Sequence, residues 1–238
     1  MRVIGKMVLA ALALGALTTS ASAAVTIADH HAFDNPLTRL GPGESLVWNF
    51  NTVFNPIEDT THFTYNGQVH IGNSTNLWAA PAGDVSHYGI ATDVGFPGNP
   101  GAPHDATFTI ASGFELTSFS AYLGSLDDYN SLSFLSNGTL VKAFTGNDLA
   151  QVAAGHNADH STTSGDSNQR FFFTFDKSDD ITQVLFHSNG RAFEFDNFAA
   201  SFISTVPEPA TWAMMILGFG FVGFMMRSNR QKTAAISA

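Results

Sequence analysis

The chain contains no cysteine. Disulfides, thiol catalysis, Cys-ligated zinc and iron–sulfur chemistry are thereby excluded, and stability has to come from the core or from a bound metal. Charge is also scarce, at 13% of 238 residues. So little Lys, Glu and Arg makes solvated helix faces hard to build, whereas the abundant Gly, Asn, Ser and Thr suit short strands joined by tight turns. Basic residues are scarcest of all, and five of the ten (Arg2, Lys6, Arg227, Arg230, Lys232) lie in the terminal segments. Between Ala24 and Val206 stand 19 acidic and five basic residues, a net charge of −14. A surface this acidic repels phosphate backbones and anionic lipid, so nucleic acid is not an expected partner, while divalent cations are. Catalytic signatures are missing too. There is no Walker or dinucleotide glycine loop and no nucleophile elbow, and His156 and His160 have ligand spacing without the Glu of H-E-x-x-H. The chain reads as a non-enzyme.

What is present is concentrated first at the two ends. Arg2 and Lys6 precede the apolar run Met7–Leu17, and the small residues Ala21-Ser22-Ala23 follow. This is the layout of a secretory signal peptide over 1–23, read by signal peptidase at Ala21 and Ala23 and cleaved before Ala24. Toward the other end, Pro207-Glu208-Pro209 and Trp212 lead into the apolar stretch Ala213–Met226, followed by Arg227, Arg230 and Lys232. Trp212 suits an outer membrane interface, and the basic cluster suits the cytoplasmic side. A transmembrane helix is expected at about 210–226. From Trp212 to Met226 it would rise only about 22 Å at ~1.5 Å per residue, against a hydrocarbon layer of ~30 Å, so it would be a marginal tether.

The run V-P-E-P-A-T-W-A-M-M-I-L-G-F-G-F-V-G, from Val206 to Gly223, with arginines directly after it, resembles the PEP-CTERM sorting signal in its PEP-x-x-W-A form. The resemblance makes Pro207, Glu208, Pro209, Trp212, Arg227 and Arg230 the sorting residues. It implies a Gram-negative host and recognition by an exosortase, a membrane-embedded transpeptidase-like enzyme. The family is associated with exopolysaccharide, extracellular matrix and biofilm. The implied route is an inner-membrane tether on the periplasmic side, then the cell surface or beyond.

Between the ends, period-2 alternation dominates. Strands are expected at Ser45–Phe54, His62–Ile71, Ala106–Ile110, Phe114–Leu123, Ser131–Ser136, Thr139–Phe144, Arg170–Phe175, Ile181–His187 and Arg191–Ile203. Asn137-Gly138 between two of them signals a tight hairpin. Nine or ten strands without a full-length amphipathic helix predict an all-β, jelly-roll-like sandwich over 24–205, with the sorting segment at 206–232. Gly95–Pro103 is expected to be a surface loop and Ala153–Gln169 a second, mobile one.

The segments Gly124–Phe134 and Ala192–Phe198 also resemble recurring pieces of PEP-CTERM ectodomains. Carbohydrate-binding sandwiches often end in a similar Asp-Asn strand, where the resemblance implies that the aspartate, here Asp196, helps hold a structural calcium. Strict alternation would put Glu194, Asp196, Phe198, Ala200 and Phe202 on one face, leaving a carboxylate among aromatics. Such a group needs a metal, N–H donors or a basic partner. Asp127, Asp128 and Asn130 form a second oxygen-rich cluster, read either as calcium ligands or as turn formers. The leading functional expectation is a non-catalytic surface or matrix protein that associates with exopolysaccharide. The alternatives are a carbohydrate-binding module using Trp48, Trp78, Tyr88 or Tyr129, and a polysaccharide hydrolase with two carboxylates in a cleft.

Overall fold

At the Asn137-Gly138 turn both residues take positive φ, 48° and 80°, as a two-residue type I′ hairpin requires. It joins two of the twelve strands found in a computed structural model that describes residues 25–33, 39–52, 55–93, 104–205 and 209–236. The strands are β1 (Thr26–Ala32), β2 (Ser45–Trp48), β3 (Phe63–Asn66), β4 (Gln68–Ile71), β5 (His87–Ala91), β6 (Ala106–Ile110), β7 (Phe114–Gly124), β8 (Asn130–Ser136), β9 (Thr139–Thr145), β10 (Gln169–Thr174), β11 (Gln183–Ser188) and β12 (Phe193–Ser204). Two helices accompany them, α1 (Gly146–Ala154) and α2 (Pro209–Ile236). The signal-peptide residues, including Ala21, Ala23 and Ala24, lie outside the described residues, as do Gly95–Pro103, Pro207 and Glu208.

The strands form two antiparallel sheets, ordered β1-β10-β7-β12-β5-β4 with β2 also on β12, and β3-β6-β11-β8-β9. From β5 onward the chain passes between the sheets so that β5-β12-β7-β10 faces β6-β11-β8-β9. In each half the last strand lies between the first and second, the nested order of a double-sheet jelly roll. The all-β expectation is met.

Phenylalanine fills the space between the sheets. Phe186 of β11 stacks on Phe195 and Phe198 of β12 at ring distances of 4.0 and 5.2 Å, and Phe63 stacks on Phe108 at 4.7 Å. All five rings are buried, which makes the aromatic layer the main hydrophobic contribution to the fold.

Three local readings change. The single strand expected over His62–Ile71 is broken at Gly67, where the chain leaves the smaller sheet for the larger one; a Cβ there would stand 2.7 Å from the Cβ of Ala106. The helix α1 occupies a region where no helix is expected. Its N-cap is Thr145, whose Oγ1 accepts from the Asp148 N–H while the Asp148 carboxylate accepts from the Thr145 N–H, and Gly155 closes it in the left-handed region. The loop that follows is tied rather than free. Asn168 is fully buried, donates to the carbonyls of Ser161 and Ser164, and accepts from the Ala82 N–H.

The most consequential change lies in β12. Pairing with β7 slips between Asp196 and Ala199, and Asn197 takes φ 53°. This β-bulge inserts one residue and reverses the alternation beyond it. Phe198 therefore joins Phe195, 5.5 Å away, in the core, while Glu194 and Asp196 stay on the opposite face. The two halves of β12 also have different neighbours, β5 before the bulge and β2 after it.

Candidate functional site

The outer face of the larger sheet is covered in part by the segment after β4. The Tyr88 hydroxyl donates to the Gly72 carbonyl and the Tyr122 hydroxyl to that of Ala82, pinning the segment across β5 and β7. Between this cover and neighbouring turns lies a cleft of about 670 Å³, in the ~300–1,000 Å³ range of small-ligand sites. Four pieces of chain wall it. Asn73–Ala79 forms one side, held by paired backbone bonds between Ser74 and Trp78. The turn Ser125–Tyr129 follows β7, His160 and Thr162 come from the loop after α1, and Gly190–Ala192 leads into β12.

Glu194 lines this cleft from β12 and is 2% exposed. Its Oε1 accepts the Ala79 N–H at 2.9 Å and its Oε2 the Ser125 hydroxyl at 3.4 Å. Burial, opposed by the Ala79 N–H and reinforced by the nearby Asp127 charge, pushes its pKa up to about 8. Asp127, 5% exposed, is raised by burial as well, while the hydrogen bond from Tyr129 and the adjacent His160 pull it back. His160 Nδ1 stands 2.7 Å from Asp127 Oδ1, and its Nε2 stands 3.8 Å from Asp128. The cleft therefore offers an O–H donor at Glu194 near neutral pH, an acceptor at Asp127, and the guanidinium of the exposed Arg191.

Two aromatic rings complete it. Trp78 packs beside His70 at 4.4 Å and over Ile90 and Ala192. Tyr129 lies so close over Gly190 that a Cβ there would sit 2.5 Å from its ring, so Gly190→Ala would displace the tyrosine. Of the four aromatics expected for a sugar site, Trp78 and Tyr129 line the cleft, whereas Trp48 and Tyr88 are buried.

The residues expected to hold calcium fall in the turn that leads from β7 into β8 and on β12. Asp127 belongs to the cleft, Asp128 is exposed, and Asn130 is buried in the turn, where its N–H donates to the Asp127 carbonyl. Among the described residues no group of three or more His, Asp and Glu could hold a metal ion. Asp196 is 1% exposed and accepts from the backbone N–H and the side-chain amide of Asn197 at 2.7 and 2.9 Å. Both partners are N–H donors, as a buried carboxylate requires.

A cation stands on the same face. Tyr122 pairs with Arg170 on one side and Asp196 on the other, so the two flank it across β7. Arg170 is completely buried; it donates to the Asn197 carbonyl and to Ser120 Oγ at 2.9 Å each, and Ser120 in turn donates to Glu44. Among the described residues it is the single buried cation. Arg170→Met should cost about 3–5 kcal/mol in urea unfolding, because it strands buried acceptors and leaves the buried Asp196 carboxylate without a cation on its face.

At the end of β12 the chain passes into α2, with Pro209 as its first residue. The helix thus begins at a proline, where a missing N–H costs nothing. Trp212 and the apolar residues to Met225 are exposed, as is Arg227; the side chain of Arg230 lies outside the described residues. The helix expected at 210–226 forms and continues to Ile236. Among the described residues, however, no helix is long and apolar enough to cross a membrane.

Residues 205–231 match the family described as the PEP-CTERM protein-sorting motif. The chain carries a PEP-CTERM motif. The match begins where β12 ends and takes in every expected sorting residue from Pro207 to Arg230. No curated protein and no solved structure matches the chain. A PEP-CTERM motif implies an exported protein, sorted by an exosortase, whose sorting signal is membrane-anchored.

Proposed function

We propose that the chain is an exosortase substrate displayed on the surface or in the extracellular matrix of a Gram-negative cell, where its sandwich associates non-catalytically with exopolysaccharide. The supporting observation is the placement of the PEP-CTERM motif at 205–231, directly after the last strand. Signal peptidase cleavage before Ala24 starts the route, and a periplasmic tether at the inner membrane precedes exosortase processing. A strongly acidic, disulfide-free domain suits that location, since electrostatics keep it from anionic lipid and nucleic acid while leaving neutral polymers accessible.

The test is a pull-down of the full chain, in a zwitterionic detergent without a sugar head group, against polysaccharide extracted from the producing cells. Retention is expected, and passage without retention contradicts the reading. One observation favours a hydrolytic alternative: Asp127 and Glu194, a carboxylate pair with pKa values raised by burial, line the same cleft. Release of new reducing ends from the retained polysaccharide would establish that alternative.

A further inference from the structure

We propose that the cleft beneath the Asn73–Ala79 segment is the glycan site and that it takes a neutral, hydroxyl-rich sugar chain in preference to a uronate or a phosphorylated glycan. This rests on the reading that the sandwich meets polysaccharide, and it names the place and the chemistry.

The aromatic walls are the first reason. A pyranose presents apolar C–H faces and a rim of hydroxyls, so its recognition needs flat amphipathic rings beside convergent polar groups. Trp78 and Tyr129 both line the cleft and both are half-buried. Each is held from behind, Trp78 by Ile90 and Ala192, Tyr129 by Gly190, so the rings are fixed before a ligand arrives.

The polar groups are the second. Hydroxyls both donate and accept, and the cleft supplies both complements. Arg191 brings a fork of donors at the rim, Asp127 brings an acceptor oriented by His160, and Glu194, anchored by the Ala79 N–H, points a buried carboxyl into the floor. Its raised pKa supports donation to a ligand oxygen around neutrality.

Charge selects among sugars. A carboxylated or phosphorylated glycan would enter beside Asp127 and Asp128, with Arg191 as the one arginine among the described lining residues, in a region of net charge −14. Displacing water from buried Asp127 toward another anion costs more than toward a hydroxyl, because repulsion grows as the dielectric falls.

The experiment is calorimetric titration of the full chain, in the same detergent, with neutral gluco-, manno- and galacto-oligosaccharides and with oligouronates of matched length. At least one neutral series should bind, oligouronates should bind at least tenfold more weakly, and Trp78→Ala and Arg191→Ala should each weaken binding tenfold or more. Arg191 is exposed, so its variant keeps the fold intact; Trp78→Phe, which retains a ring, should recover most of the affinity lost in Trp78→Ala. Tighter binding of oligouronates overturns the charge argument. Neutral binding that neither Trp78→Ala nor Arg191→Ala alters overturns the cleft while leaving exopolysaccharide association standing. If the cellular polysaccharide is retained but no neutral oligosaccharide binds, the inference falls alone; if neither interacts, the functional reading falls with it.

Discussion

Replacing Glu194 by Gln is expected to abolish a stability slope spanning the pH range from about 4.5 to about 8. The buried carboxyl keeps its proton in the folded chain to about pH 8, whereas the unfolded chain releases it near 4.5. Over that interval the folded state binds more protons, so each rise in pH favours unfolding. The contribution is present in full below the unfolded value and is lost as pH climbs to the folded one. At ~1.36 kcal/mol per unit, the wild type should lose on the order of 5 kcal/mol relative to Glu194→Gln between those limits. The glutamine retains an oxygen for the Ala79 N–H, so the variant should be the more stable protein at pH 8. Urea unfolding across the range gives the comparison. Parallel curves for the two proteins would mean that Glu194 ionises normally and that water reaches the floor of the cleft.

How far the sequence reveals such a site depends on which physical signal each part carries. Alternation over Ala106–Ile110 marks β6 with its correct bounds, because one face is core and the other is not. The Asn-Gly pair marks the β8–β9 hairpin, because its backbone geometry permits little else. In β12 the same rule misleads. The bulge at Asn197 reverses the faces, and a bulge depends on pairing with β7 and on the change of neighbour from β5 to β2. Strict alternation therefore puts Phe198 beside Asp196, when it belongs in the core. The helix α1 has a readable mark, the capping box Thr145-Gly146-Asn147-Asp148, but the apolar face behind it is short.

The cleft was legible only in fragments. Trp78 and Tyr129 stand out as aromatics and Asp127 as part of an acidic turn, yet nothing local joins them. In sequence Glu194 is merely a neighbour of Asp196, Arg191 carries no local signal, and His160 is marked only by its spacing from His156. Their meeting depends on contacts far apart in sequence: Ala79 with Glu194, Ala82 with Asn168, and His160 with Asp127. The buried carboxylate at 196 shows the converse. Its need for a partner is evident from burial alone, but that Arg170 shares its face follows from strand order, which no local pattern shows.

Everything said of function presupposes that the C-terminal segment delivers the sandwich to the outside. The most direct measurement compares wild-type cells with cells carrying alanine at Pro207, Glu208 and Pro209, fractionated into inner membrane, outer membrane, matrix and medium. The substitutions leave Trp212, the apolar run and Arg227 in place, so only the recognition element changes. The wild type should appear at the surface or beyond in a form shortened at its C-terminal end, and the triple variant should remain in the inner membrane at full length. Equal surface display of the triple variant, at the same size as wild type, would contradict the account.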